Sequence, residues 1–179
     1  MARFRRIHLH LPLACAVLLL ACPVPPALLA VGAALVLLGV AGRVWAAGLL
    51  HKGRELCVDG PYRFVRHPLY LGSILGAVGF CLMANSLWAW VLLLPLFLLV
   101  YGWQVCDEER ALAKRFGEAH AAWARRVPRL WPRLTPAAVE SPRPWSVGQV
   151  LVNREHYHLL LTLFFVVLFY LKPLLVHAR

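Results

Sequence analysis

Acidic residues are scarce in this chain. There are 8 Asp and Glu among 179 residues, against 19 Lys and Arg, and charged side chains make up only 15% of the sequence. A water-soluble domain carries roughly 25% charged and about 45–50% apolar residues; here 61% are hydrophobic and the mean hydropathy is +0.67. That balance excludes a soluble globular enzyme and a disordered chain alike. Cysteine pairs are also missing. The 5 cysteines follow no CxxC spacing, and Cys15, Cys22, Cys81 and Cys106 lie in or beside apolar runs, where cysteine acts as a small hydrophobe. Neither a disulfide framework nor a zinc site is expected. The pairs His8/His10 and His156/His158 are two residues apart, which puts their side chains on different helix faces, so no metal site is read from them. A net charge of +11 would suggest nucleic acid in a soluble protein. In a membrane protein it marks basic cytoplasmic loops, and no nucleic-acid partner is expected.

What the chain has instead is long apolar runs. A helix needs roughly 17–25 apolar residues to cross the hydrocarbon core, and about five stretches come close: Ile7–Cys22, Pro26–Leu50, Leu69–Ala84, Leu87–Val105 and Tyr157–Val176. The first could be a cleaved signal peptide, but no small-x-small site precedes Pro23 and a retained span is expected. The connections alternate. Arg3, Arg5 and Arg6 precede the first span, and Arg43, Lys52, Arg54, Arg63 and Arg66 separate the second from the third. Arg110 to Arg154 is rich in Arg and Lys; the two remaining turns carry no basic residue. The positive-inside rule then places the N-terminus and both long loops in the cytoplasm and the C-terminus outside. The fold class is all-α, a polytopic membrane protein with a site facing the cytoplasm. It is a single membrane-embedded domain over 1–179. Gly72, Gly76 and Gly79 share one face of the third span, and Gly32, Gly39 and Gly42 offer the second a similar face, spacings that favour close helix packing.

Two cytoplasmic segments hold the chemistry-bearing residues. In the first, Asp59-Gly60-Pro61 is a turn signal and Pro68 suits the first turn of a helix. Arg66 and His67 then stand at a helix N-terminus, where anions are favoured, with Tyr70 one turn inside. The plainer reading makes Arg63, Arg66 and His67 topology signals and Tyr62 and Tyr70 part of an aromatic belt. In the second, Asp107-Glu108-Glu109 closes an apolar helix. Ionisable groups at membrane depth mark function, and negative charge conflicts with a helix C-terminus. Leu112, Phe116, Ala119 and Trp123 then outline a separate amphipathic interfacial helix, ended by Pro128 and Pro132. Thr135 to Ser146 reads as a loop. Cations and N–H groups on one segment and carboxylates on the other suit a ligand bearing both a carboxylate and an amine. S-adenosylmethionine has both, and aromatic faces can steady its sulfonium.

The run Gly60-Pro-Tyr-Arg-Phe-Val-Arg-His-Pro-Leu-Tyr-Leu-Gly72 resembles the signature of integral-membrane methyltransferases of the isoprenylcysteine carboxyl methyltransferase type, with phospholipid methyltransferases as further relatives. Glu108-Glu109, Leu112, Phe116-Gly117-Glu118 and Val127-Pro128-Arg129 resemble its second block. The resemblance covers about residues 52–132; the last helix, about 157–176, matches only in hydrophobic character. It implies methyl transfer from S-adenosylmethionine to a lipophilic or lipid-linked acceptor entering from the bilayer. It also implies cofactor contacts from Leu56 and Cys57, Tyr62, Arg66, His67, Pro68, Leu69 and Tyr70, and from Glu108 and Glu109. Arg66, Glu108 and Gln104 are the candidates at the reacting centre. Departures stand at Gln104, where the carboxyl methyltransferases resemble one another in an arginine, and at His120 and Trp123, where the family has tyrosines. Gln104 weakens the match to a prenylcysteine carboxylate acceptor. Two alternatives remain open: an NADPH-dependent membrane sterol-type reductase, which has a similar Arg-His-Pro-x-Tyr block, and a non-catalytic membrane protein.

Overall fold

The structure, a computed structural model, describes residues 23–138 and 143–177, the last five of these as backbone only. The expected span Ile7–Cys22 lies outside the described residues. Within them the fold is all-helical: α1 (Pro26–Ala47), a 3-10 turn (Gly60–Arg63), α2 (Pro68–Ala84), a π-helical turn (Ala89–Leu93), α3 (Leu94–Arg126), α4 (Val147–Val152) and α5 (Glu155–His177). Three helices are long and apolar enough to cross a membrane, and α2 is a shorter apolar one. Large apolar side chains such as Leu37, Leu38, Trp88, Leu99 and Trp103 are exposed, as a lipid-facing surface requires. The chain is a polytopic membrane protein.

Local sequence explains most helix boundaries. Pro26 and Pro68 occupy the first turns of α1 and α2, where a missing N–H costs nothing. Asn85 ends α2 in the left-handed region, at φ 47°, a conformation asparagine tolerates. The π-helical turn precedes Pro95. Proline removes one N–H from the ladder and crowds the preceding turn, and a widened turn relieves both.

The second basic segment differs from expectation. No helix ends at Asp107-Glu108-Glu109; α3 runs through the acids to Arg126. The stretch Gln104–Arg115 is mostly straight-chain residues with good helix propensity, and nothing in it breaks the ladder. The break comes at Gly117 (φ 48°, ψ −122°), a conformation open to glycine. It turns the last part of the helix, so the expected stripe does not hold. Ala119 is exposed while His120 and Trp123 are buried. The expected conflict between the acids and a helix C-terminus therefore does not arise. The short α4, which the sequence pattern did not suggest, follows the loop that carries Trp145.

α1 packs most extensively on α2. A methyl added to Gly32 would lie 2.6 Å from the Gly79 oxygen, and one added to Gly72 would lie 2.5 Å from the Gly39 oxygen. The two backbones touch at two levels, as the glycine spacing predicts. Gly76 adds its backbone nitrogen to the contact, 3.1 Å from where a Cβ on Gly39 would lie, whereas a Cβ on Gly42 would meet nothing within 4 Å.

Candidate functional site

The site is assembled where the chain enters α2. The Gly60–Arg63 turn begins with Gly60 at φ 53°, and a side chain there would strike Leu49. The chain then runs extended and is pinned from the side by the segment that follows α3. Arg66 N–H donates to the Pro128 oxygen (2.9 Å) and His67 N–H to the Arg129 oxygen (3.2 Å). Arg133 N–H donates to the Phe64 oxygen (3.0 Å) and Ala137 N–H to the Arg63 oxygen (3.0 Å). These bonds satisfy backbone groups that would otherwise be stranded. They also bring the two motif blocks, with Arg66 and Pro128 some 60 residues apart in sequence, into one layer.

At the centre of that layer is Glu109, which is 8% exposed. His67 Nε2 donates to its Oε1 at 2.7 Å, and Arg66 Nη1 donates to its Oε2. His120 Nε2 lies 3.8 Å from Oε1 and Arg129 Nε 3.7 Å from Oε2. The sequence reading sets Arg66, His67, Glu108 and Glu109 around one ligand; in the structure Arg66 and His67 bond to Glu109. Consecutive residues on a helix point about 100° apart, and α3 continues through this point, so only one of the two acids can face the start of α2. Glu108 is half-buried beside it.

The remaining predicted residues surround this hub. Cys57, Tyr62 and Leu69 are buried in one cluster with Trp123 and Val127, and Leu56 packs against it. Burial pushes the Cys57 thiol up to about 11, which keeps it protonated and inert. Pro68 is buried at the start of α2. Tyr70 meets His67 edge-on (5.7 Å) and Tyr101 edge-on (5.4 Å), and Tyr101 stacks on Phe97 (4.1 Å). Gln104 lies on α3 one turn from Glu108. Its Nε2 is buried without a hydrogen bond among the described residues, as are Arg66 Nε, His120 Nε2 and Trp123 Nε1. Buried donors without partners are uncommon and costly, and four of them gather in this one region.

A second buried assembly was not foreseen. Arg43 (7% exposed) reaches from α1 to Glu155 (5% exposed) at the start of α5. Its Nη2 and Nε donate to Glu155 Oε2 at 2.6 and 3.1 Å, and its Nη1 donates to the Leu69 oxygen at 2.9 Å and to Ser73 Oγ at 2.5 Å. The available signal was Glu155 itself, an acid at the head of the last apolar run. His120 and Arg129 were likewise visible, as a departure and as part of the second block, but not as partners of Glu109.

Two relatives match most of the chain. The cobalt-zinc-cadmium resistance protein CzcN of Cupriavidus metallidurans is 39% identical over 126 residues, covering 69% of this chain and 57% of that protein. The nickel-cobalt-cadmium resistance protein NccN of Alcaligenes xylosoxydans xylosoxydans is 36% identical over 129 residues, covering 71% of this chain and 60% of that protein. The chain thus spans under two thirds of the length of either relative. No solved structure matches it significantly. The profile of the phospholipid methyltransferase family matches residues 27–119, a stretch that takes in α1, the His67–Tyr70 motif and the Glu108-Glu109 pair. With more than half its length matched, the chain belongs to the phospholipid methyltransferase family.

Proposed function

We propose that this protein transfers a methyl group from S-adenosylmethionine to a lipid-soluble acceptor at the cytoplasmic face of the membrane. One observation carries the reading. Arg66, His67, His120 and Arg129 converge on the single carboxylate of Glu109, and buried donors at Arg66, His120, Gln104 and Trp123 are left over. A layer with unbonded donors beside the Glu108 carboxylate fits an added group that carries both a carboxylate and an amine, such as the methionine end of the cofactor. Arg66 and Arg129 would hold that carboxylate, with His67 oriented by Glu109. Glu108 would hold the ammonium. Tyr62 and Tyr70 supply aromatic faces suited to a sulfonium. Backbone groups at Leu56 and Cys57, with Pro68 and Leu69, would shape the remaining wall. Bound there, the cofactor supplies an electrophilic methyl with a neutral thioether as leaving group. The protein's part is to exclude water and hold the acceptor in line, and alignment alone is worth up to roughly 7–11 kcal/mol in model reactions. The basic loops support a cytoplasmic N-terminus and an opposite C-terminus.

The test is calorimetric titration of S-adenosylhomocysteine into detergent-solubilised protein, paired with transfer of labelled methyl to extracted lipid. Because the two relatives are named for resistance to cobalt and cadmium, the lipid is taken from cells grown with and without these cations. Binding and label transfer are expected, and Glu108→Gln should weaken binding roughly ten- to a hundred-fold, the equivalent of about 1.5–3 kcal/mol for a charge-assisted hydrogen bond. NADPH oxidation without S-adenosylhomocysteine binding would replace this reading with the reductase.

A further inference from the structure

One turn deeper than Tyr70, a cavity of about 30 Å³ lies between four helices. It is walled by Gly72, Ser73, Gly76 and Ala77 of α2, Phe97 of α3, Val40 of α1, and His158 and Thr162 of α5. We propose that this cavity seats the polar end of the methyl acceptor, and that the acceptor is a lipid-soluble molecule ending in a compact uncharged protic group, such as an alcohol, phenol or thiol. The proposal rests on the methyl-transfer reading and adds to it the class of substrate.

Three observations point there. The first is position. Phe97 and Ala77 line the cavity and belong to the same packed cluster as Tyr70 and Tyr101. The line Phe97, Tyr101, Tyr70, His67 runs from the cavity wall to the Glu109 hub, each ring in contact with the next. An acceptor in the cavity therefore shares a wall with the residues that face the cofactor. The second is size. A water needs roughly 10–15 Å³ of such space, so the cavity admits a group of one or two heavy atoms and not a phosphate ester. The third is charge. Among the described residues, the ion pair beside the cavity is closed: Arg43 spends its donors on Glu155, Leu69 and Ser73. No Asp, Glu, Lys or Arg lines the cavity to meet an ammonium or a carboxylate. The Ser73 hydroxyl is itself taken up, accepting from Arg43 and donating to the Leu69 oxygen, and what the wall offers an acceptor is the Thr162 hydroxyl, on a residue 7% exposed. Gly76 keeps the space open, since a Cβ on it meets nothing within 4 Å. In the reaction, a lone pair on the acceptor oxygen or sulfur bonds to the methyl carbon as the carbon–sulfur bond of the sulfonium breaks. That bond's electron pair stays on sulfur, and the acceptor's proton is released to water.

Gly76→Ala puts a single carbon into a space that admits one or two heavy atoms, and Gly42→Ala places the same methyl in open space elsewhere. Both are assayed for S-adenosylhomocysteine affinity and for transfer of labelled methyl to total lipid extract. Gly76→Ala should bind S-adenosylhomocysteine within twofold of wild type yet transfer label severalfold more slowly; Gly42→Ala should match wild type in both. Wild-type transfer by a Gly76→Ala protein that binds normally overturns the pocket and leaves the methyltransferase standing. If Gly76→Ala does not fold, Thr162→Val, which keeps the volume and removes the hydroxyl, should slow transfer severalfold at unchanged affinity, and unchanged transfer overturns the pocket. The labelled product should resist mild alkali; label released as from a methyl ester overturns the uncharged end. A wild-type protein that neither binds S-adenosylhomocysteine nor transfers label overturns the underlying reading, and the pocket with it.

Discussion

Two buried carboxylates anchor this molecule, and they are partnered in opposite ways. Glu155 faces one guanidinium, and every nitrogen of that guanidinium is bonded: Arg43 gives Nε and Nη2 to Glu155 and Nη1 to the Leu69 oxygen and Ser73. Glu109 faces two guanidinium groups and two imidazoles, with donors to spare. The first assembly is closed and joins α1, α2 and α5. The second keeps unbonded donors, the feature on which the proposed cofactor site rests. Burial of a charge does not by itself distinguish structure from function; the count of partners does.

The largest effect should come from opening the closed pair. Removing one member of a buried ion pair leaves a lone charge that costs about 3–5 kcal/mol. Arg43→Met or Glu155→Leu alone should therefore lose most of the folded protein on mild heating in detergent. The double variant should recover most of it, since an apolar pair of similar volume is tolerated. Single variants that melt like wild type would dissolve the distinction. A smaller effect is expected in the open cluster. Arg66→Gln leaves Glu109 with His67, His120 and Arg129, so its melting should shift by no more than about 1 kcal/mol. Its S-adenosylhomocysteine affinity should fall roughly tenfold, the loss of one charge-assisted hydrogen bond. A large melting loss with unchanged affinity would make the Glu109 cluster structural too. The smallest effect concerns the packing around both. With its thiol raised to about 11, Cys57 is about 0.1% thiolate at pH 8. A membrane-impermeant maleimide should leave it unmodified at that pH, with reaction climbing only as pH approaches 11. Cys106, half-buried next to Asp107, should react from the cytoplasmic side of sealed vesicles alone. Labelling of Cys106 from the opposite side would reverse the orientation, and ready labelling of Cys57 would mean that its cluster opens.

What the sequence made legible was local. Pro26 and Pro68 set helix starts, apolar length marked the spans, and the glycine spacing of α1 and α2 forecast their contact. Arg66, His67 and an acid of the Glu-Glu pair were recognisable as one constellation. Which acid faces them was not, because that depends on the rotation of α3, and the rotation depends on whether the helix stops at the acids or passes through them. Periodicity favoured a new helix after Glu109; the chain instead broke eight residues later, at a glycine whose φ 48° no pattern of apolar residues reveals. The Arg43–Glu155 pair joins positions 112 apart in sequence. Each residue was visible alone as a charge near a span end, and only packing of α1 against α5 makes them one device.

The length of α2 has a consequence for the lipid around it. Its 17 residues span about 26 Å at 1.5 Å per residue, whereas a bilayer's hydrocarbon layer is about 30 Å thick. The 22 residues of α1 reach about 33 Å by the same measure. A helix shorter than the hydrocarbon layer gains nothing by tilting, and thinning of the lipid beside α2 relieves the mismatch. Thinning at His67 brings the water boundary toward the motif, and under the proposed methyl transfer a water-borne cofactor and an oil-borne acceptor would then meet at one depth without either leaving its own phase. Bilayer thickness would become a control on that turnover, with thicker, more ordered membranes resisting the thinning and slowing the encounter.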